Sequence, residues 1–119
     1  MNSEVRVLHV DDEHVICDLT KIRLEKGGRL KVYVTSSAEE SLDLVRSGSY
    51  SCIISDYEMP IMNGLDFLKA VRNIDKDIPF ILFSGRCRET VIIDAINTGA
   101  DFYIQKVGEP KALFAELNH

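Results

Sequence analysis

Five times along this chain a short apolar, β-rich run gives way to a segment with helical spacing. The runs cover 5–10, 30–35, 52–55, 79–83 and 101–105, and each ends at a polar residue. Such alternation is the pattern of strand–helix units, in which the strands lie parallel and helices cover the sheet. Right-handed crossovers leave few arrangements for five units. The expected fold is α/β, a doubly wound five-stranded parallel sheet of order 2-1-3-4-5, a flavodoxin-like (βα)5.

The helical segments carry their own signals. Val15, Ile16, Leu19 and Ile22 are expected to form the inward stripe of the first helix, closed by Gly27-Gly28. Ser37 and Glu40 read as a capping box, each satisfying an amide of the other, ahead of inward Leu42 and Val45. Asn63-Gly64 opens a third helix with Leu65, Leu68 and Val71 inward. A fourth, from about Glu89 to Asn97, turns Ile92, Ala95 and Ile96 to the core; Val91 and Ile93 add apolar surface that suits a dimer or partner face. Pro110 starts a last helix carrying Leu113, Phe114 and Leu117.

A chain of 119 residues is one domain, 1–119, with room for a core. The last helix, still amphipathic at Leu117, suits a segment excised from a longer signalling protein. A net charge of -5 argues against a nucleic-acid surface. No run approaches the ~18 apolar residues of a membrane span, and Met-Asn-Ser-Glu has no signal-peptide pattern, so a cytoplasmic location is expected. Cys17, Cys52 and Cys87 are odd in number and form no C-x-x-C pair; they are expected to be reduced, structural thiols. His14 is expected on the first turn of helix 1 facing solvent, and His9 as a packed or hydrogen-bonded strand residue.

In the expected sheet order the chain reverses beside strands 1 and 3, which makes Asp11, Asp12 and Asp56 neighbours at one crevice. Three carboxylates brought together repel unless a cation or protons intervene. Oxygen ligands with no histidine or cysteine beside them suit Mg²⁺, with Mn²⁺ able to substitute. Strands 4 and 5 end in a hydroxyl, Ser84, and an ammonium, Lys106. That combination suits phosphoryl transfer, with Asp56 as nucleophile forming an acyl phosphate. Each of these residues alone is an ordinary loop, cap or surface residue. Their coincidence at one sheet edge is what points to a shared site.

These residues, with Met59-Pro60, Met62, Asn63-Gly64, Gly85, Gly99-Ala100 and Tyr103, make the chain resemble the receiver domain of two-component response regulators over essentially its whole length. The resemblance implies that Asp56 takes phosphate from a phosphohistidine on a histidine kinase or phosphotransfer protein. It implies Mg²⁺ held by Asp12, Asp56 and the backbone carbonyl of Glu58, with Asp11 acting largely through water. Lys106 and Ser84 would hold phosphoryl oxygens, and Gly85 would leave room for them. Tyr103 matches the aromatic that turns inward with the hydroxyl residue, changing the helix 4–strand 5–helix 5 face toward an effector or a second copy. Such a domain catalyses its own phosphorylation and dephosphorylation without being a conventional enzyme; a kinase domain would lie outside this chain.

Two features depart from the family pattern. Val107-Gly108 follow Lys106 where the family has proline, so either a trans bond with a reshaped loop or a retained strain is expected. The sequence from Phe102 to Lys106, then Gly-Glu-Pro, is similar to receivers attached to archaeal sensory kinases. At the pocket rim, Glu58 and Arg86 are expected to pair over the mouth and slow hydrolysis, against an even alternative of two separate solvated charges. A dehalogenase-type phosphatase fits poorly, because its nucleophile follows strand 1. A flavodoxin fits poorly because Asp11-Asp12-Glu13 would repel the flavin phosphate. The rival that survives is a phosphorylation-independent receiver acting as a protein-binding module.

Overall fold

A computed structural model describes residues 4–85 and 87–106. The elements run β1 (Val5–Val10), α1 (His14–Glu25), β2 (Leu30–Thr35), α2 (Ala38–Arg46), β3 (Cys52–Ser55), α3 (Gly64–Ile74), β4 (Phe80–Ser84), α4 (Glu89–Thr98) and β5 (Phe102–Gln105). All four strand pairs are parallel and the order is β2-β1-β3-β4-β5, as the alternation predicts. Arg86, the Lys106-Val107-Gly108 junction, the last helix and His119 lie outside the described residues.

The period of two along each strand divides the core. Leu8, Val10, Ile53, Phe80 and Leu82 point to the side covered by α2, α3 and α4, where Leu42, Val45, Phe67, Leu68 and Val71 complete one cluster. Val7, Ile54 and Phe83 point the other way and meet Leu24 and Val32. The central strands are thus apolar on both faces, as buried parallel strands must be.

Helix 1 corrects the sequence reading. Its buried residues are Cys17, Thr20 and Leu24, while Val15 is 70% and Ile22 69% exposed; Ile16 and Leu19 are half-buried. At about 100° per residue, Val15 and Ile22 sit nearly opposite the buried stripe. Two stripes of similar weight were available, and the small neutral side chains Cys17 and Thr20 let the helix approach the sheet on the second. Helix 4 differs likewise: Ala95 is buried, but Ile96 is 46% exposed.

The capping box forms by half. Ser37 Oγ accepts the Glu40 amide, yet the Ser37 amide donates to Thr35 Oγ1 rather than to Glu40. Asn63 caps α3 by accepting the Asp66 amide. His14 is exposed on the first turn of α1, and His9 is fully buried.

Candidate functional site: an acidic pocket at the carboxyl edge of the sheet

The sheet ladder itself carries the polar residues together. Val10 pairs with Ser55 and Ser84 with Gln105, and the hydrogen-bond rows run one step past the strands. The Asp11 amide donates to Thr35 O (3.0 Å), that of Asp56 to Val10 O (2.9 Å), and that of Lys106 to Ser84 O (2.7 Å). Asp11, Asp56 and Lys106 are therefore each the first residue beyond a strand, and Ser84 is the last of β4, all held in backbone position before their side chains do anything.

Carboxylate oxygens of Asp11, Asp12 and Asp56 lie within 4.8 Å of one another. Asp11 and Asp56 are buried and Asp12 is exposed at the mouth. Ser84 Oγ donates to Asp56 Oδ1 (2.6 Å), and the Tyr57 amide lies 2.8 Å from the same oxygen and 3.3 Å from Ser84 Oγ. Lys106 Nζ sits 2.7 Å from Asp11 Oδ2, 3.2 Å from Glu13 Oε1 and 3.5 Å from Asp56 Oδ2, with the Phe83 ring 5.4 Å away. Tyr103 Oη donates to Gly85 O (2.8 Å), so the aromatic is turned against the loop that follows Ser84.

Electrostatics follow this geometry. Burial raises the Asp56 carboxyl above its ordinary value, and Ser84 and Lys106 recover only part of that. Burial acts on Asp11 too, but His9, Lys106 and the Glu13 amide outweigh it and hold that carboxyl low. For Lys106, burial would depress the ammonium; Asp11, Asp56 and Glu13 more than compensate and raise it. The ammonium is the counter-charge of the whole cluster.

A divalent cation fits this set. The donors are hard carboxylate oxygens from the ends of two strands, β1 and β3, and buried Asp11 Oδ2 faces the Lys106 ammonium at 2.7 Å, a contact that a divalent ion can replace. Glu58 is exposed beside Asp56, Tyr57, Met59 and Asn63 around the depression above the carboxylates. Glu13, assigned no role from the sequence, contributes both a side-chain contact to Lys106 and an amide to Asp11 Oδ1 (2.9 Å). Its place in the acidic triplet was the available signal. Gly64 is also accounted for: a Cβ there would collide with Asp56 O and Tyr57 Cα, so only glycine lets α3 start against the loop that follows Asp56.

The response regulator receiver domain model matches residues 7–118. The chain belongs to the response regulator receiver family. It is 34% identical over 113 residues to response regulator SaeR of Staphylococcus aureus, a match covering 95% of this chain and 49% of that protein. The chain spans about half the length of the curated relatives it matches. Among solved structures, it superposes on a CheY-like receiver domain protein from Methanospirillum hungatei with TM-score 0.86 at 28% identity, covering 98% of this chain and 92% of that one. Vibrio cholerae chemotaxis protein CheY4 gives 0.84 at 27% identity, covering 98% of each. The chain is thus a receiver domain of two-component signalling, a class that interacts with histidine kinases or phosphotransfer proteins. No helix among its described residues is long and apolar enough to cross a membrane.

Proposed function

We propose that this receiver domain accepts a phosphoryl group on Asp56 from a phosphohistidine of a partner protein, in a Mg²⁺-dependent reaction. The observation that carries the reading is the convergence of three strand ends on Asp56: two further carboxylates from the β1 end, the Ser84 hydroxyl from β4 and the Lys106 ammonium after β5. An ionised Asp56 oxygen attacks phosphorus, the P–N bond breaks, and its electron pair returns to the donor imidazole. The product is an acyl phosphate.

Asp11, Asp12, Asp56 and the Glu58 carbonyl would hold the ion, whose charge offsets that of the carboxylates and the phosphoryl oxygens. Ser84 and the Tyr57 amide are already aimed at Asp56 Oδ1 and stand ready to donate to phosphoryl oxygens that develop charge there. Lys106 exchanges Asp11 and Glu13 for a phosphoryl oxygen, a short swing for an ammonium already 3.5 Å from Asp56. Tyr103 reports the position of the Ser84–Gly85 segment through its bond to Gly85 O, and α4 and β5 present Ile93, Ile96 and Phe102 outward as the face a partner would read. Glu58 lines the mouth of the depression and would slow water entry; its expected partner, Arg86, lies outside the described residues.

The test is intact mass after incubation with Mg²⁺ and a small acyl-phosphate donor, beside Asp56→Asn. A Mg²⁺-dependent phosphoryl increment absent from the variant is expected. Absence of the increment, with the ion shown to bind, would favour a receiver that signals by protein binding alone.

A further inference from the structure

His9 is a buried polar residue that neither the fold nor the proposed transfer uses. It is fully buried in β1 on the Val7 side of the sheet, its ring 6.2 Å from that of Phe83. Neither Nδ1 nor Nε2 has a hydrogen-bond partner among the described residues. Its strand neighbours on that side are apolar, so valine or leucine would satisfy packing at this position without orphaning two ring nitrogens. A buried polar group without a partner calls for an explanation in its surroundings.

Among the described residues, a carboxylate oxygen lies near that ring: Asp11 Oδ2, 3.6 Å from Nε2. The other Asp11 oxygen is taken by the Glu13 amide, and Oδ2 has Lys106 in front of it at 2.7 Å and His9 behind. Lys106 is the movable member of this trio, since its ammonium lies within reach of Glu13 and Asp56 as well. Once Lys106 turns away, a buried carboxylate oxygen keeps only the imidazole as donor among the described residues. A shift of roughly 0.7 Å makes that approach an ordinary N–H···O hydrogen bond.

We infer that His9 is a positioning residue for Asp11: its Nε2–H anchors Oδ2 from behind and holds the carboxylate in the orientation that receives the divalent ion. The inference rests on the reading of the acidic pocket as an ion site. Carboxylate ligands supported from behind in this way keep their direction when a charged neighbour departs, and loss of such support weakens metal binding by about 10–100-fold.

The experiment compares wild type, His9→Leu and His9→Gln in two measurements: Mg²⁺ affinity, by competition against the electron paramagnetic resonance signal of Mn²⁺, and the thermal midpoint in chelator. Leucine fills the space without a donor; glutamine returns an N–H near the place of Nε2. His9→Leu is expected to unfold at a higher temperature than wild type yet bind Mg²⁺ at least about tenfold more weakly, with His9→Gln returning affinity to within about threefold of wild type. A packing role predicts the opposite pairing, lower stability with unchanged affinity, and that result overturns the inference. So does His9→Gln binding as weakly as His9→Leu while remaining folded. If wild type itself fails to bind the ion, the reading of the pocket falls first, and that failure appears before any variant is made.

Discussion

Asp56 and Asp11 share a pocket but respond to protons in opposite directions. The Asp56 carboxyl is raised above its reference of 3.8 in the fold, chiefly by burial. Between 3.8 and the higher folded value, the folded state binds more protons than the unfolded chain, so this group's penalty is full above the folded value and is relieved as pH falls. Asp11 is lowered, so its contribution is present above 3.8 and is lost as pH falls through its folded value. Asp56→Asn removes the first effect together with the smaller share that Asp56 contributes to holding the Lys106 ammonium. In chelator at neutral pH the variant is expected to be more stable than wild type by about 1 kcal/mol, with the gap closing on acidification; urea unfolding across pH checks this, and a pH-independent gap refutes it. Lys106 tests the same balance from the other side. Lys106→Met leaves three carboxylates without their ammonium and is expected to cost about 2–4 kcal/mol in chelator. Millimolar Mg²⁺ should restore part of that loss; equal destabilisation with and without the ion would mean that Lys106 acts through packing.

At the scale of elements, the loop between β3 and α3 holds the one described non-glycine residue with positive φ. Ile61 has φ 72° and is 91% exposed, and the Met62 amide donates to Pro60 O (2.8 Å) across it. This is the rare, positive-φ form of the γ-turn, strained for any side chain and most for a β-branched one. Ile61→Gly is therefore expected to stabilise the domain by about 1 kcal/mol, read as a higher urea midpoint with unchanged slope. An unchanged or lower midpoint would show that the surrounding loop relieves the strain. Helix 1 carries a different lesson. Its face is chosen by Cys17, whose thiol lies 3.5 Å from Asp11 O, and by Leu24, not by the bulkier Val15 and Ile22. Hydrophobic spacing identified the helix but not its roll, because roll depends on how closely the backbone can approach the sheet.

Across the whole molecule, the three thiols sit in distinct environments and form no disulfide. Burial pushes Cys17 up to about 12 and Cys52 up to about 11, so both are poor nucleophiles in the folded state. Cys52 and Cys87 are both half-buried and Cys17 is buried. Cys87, in the loop after β4, is expected to be the thiol that a maleimide labels fastest, Cys52 more slowly because burial pushes its thiol up, and Cys17 only as the domain unfolds. Mass spectrometry of labelled, folded protein reads the count directly; fast double labelling would contradict the packing around α1 and β3. The sequence alone determined the strand count, the parallel order and the arrival of Asp11, Asp12, Asp56, Ser84 and Lys106 at one edge. It could do so because strand period and crossover handedness are local rules, and each polar residue ends its own apolar run. Only the tertiary structure decided which side of α1 is buried, that Glu13 shares Lys106 with Asp11, that Gly64 must lack a Cβ, and that His9 Nε2 comes within 3.6 Å of Asp11 Oδ2. Those facts depend on distances between side chains from separate elements, which no spacing along one chain segment encodes.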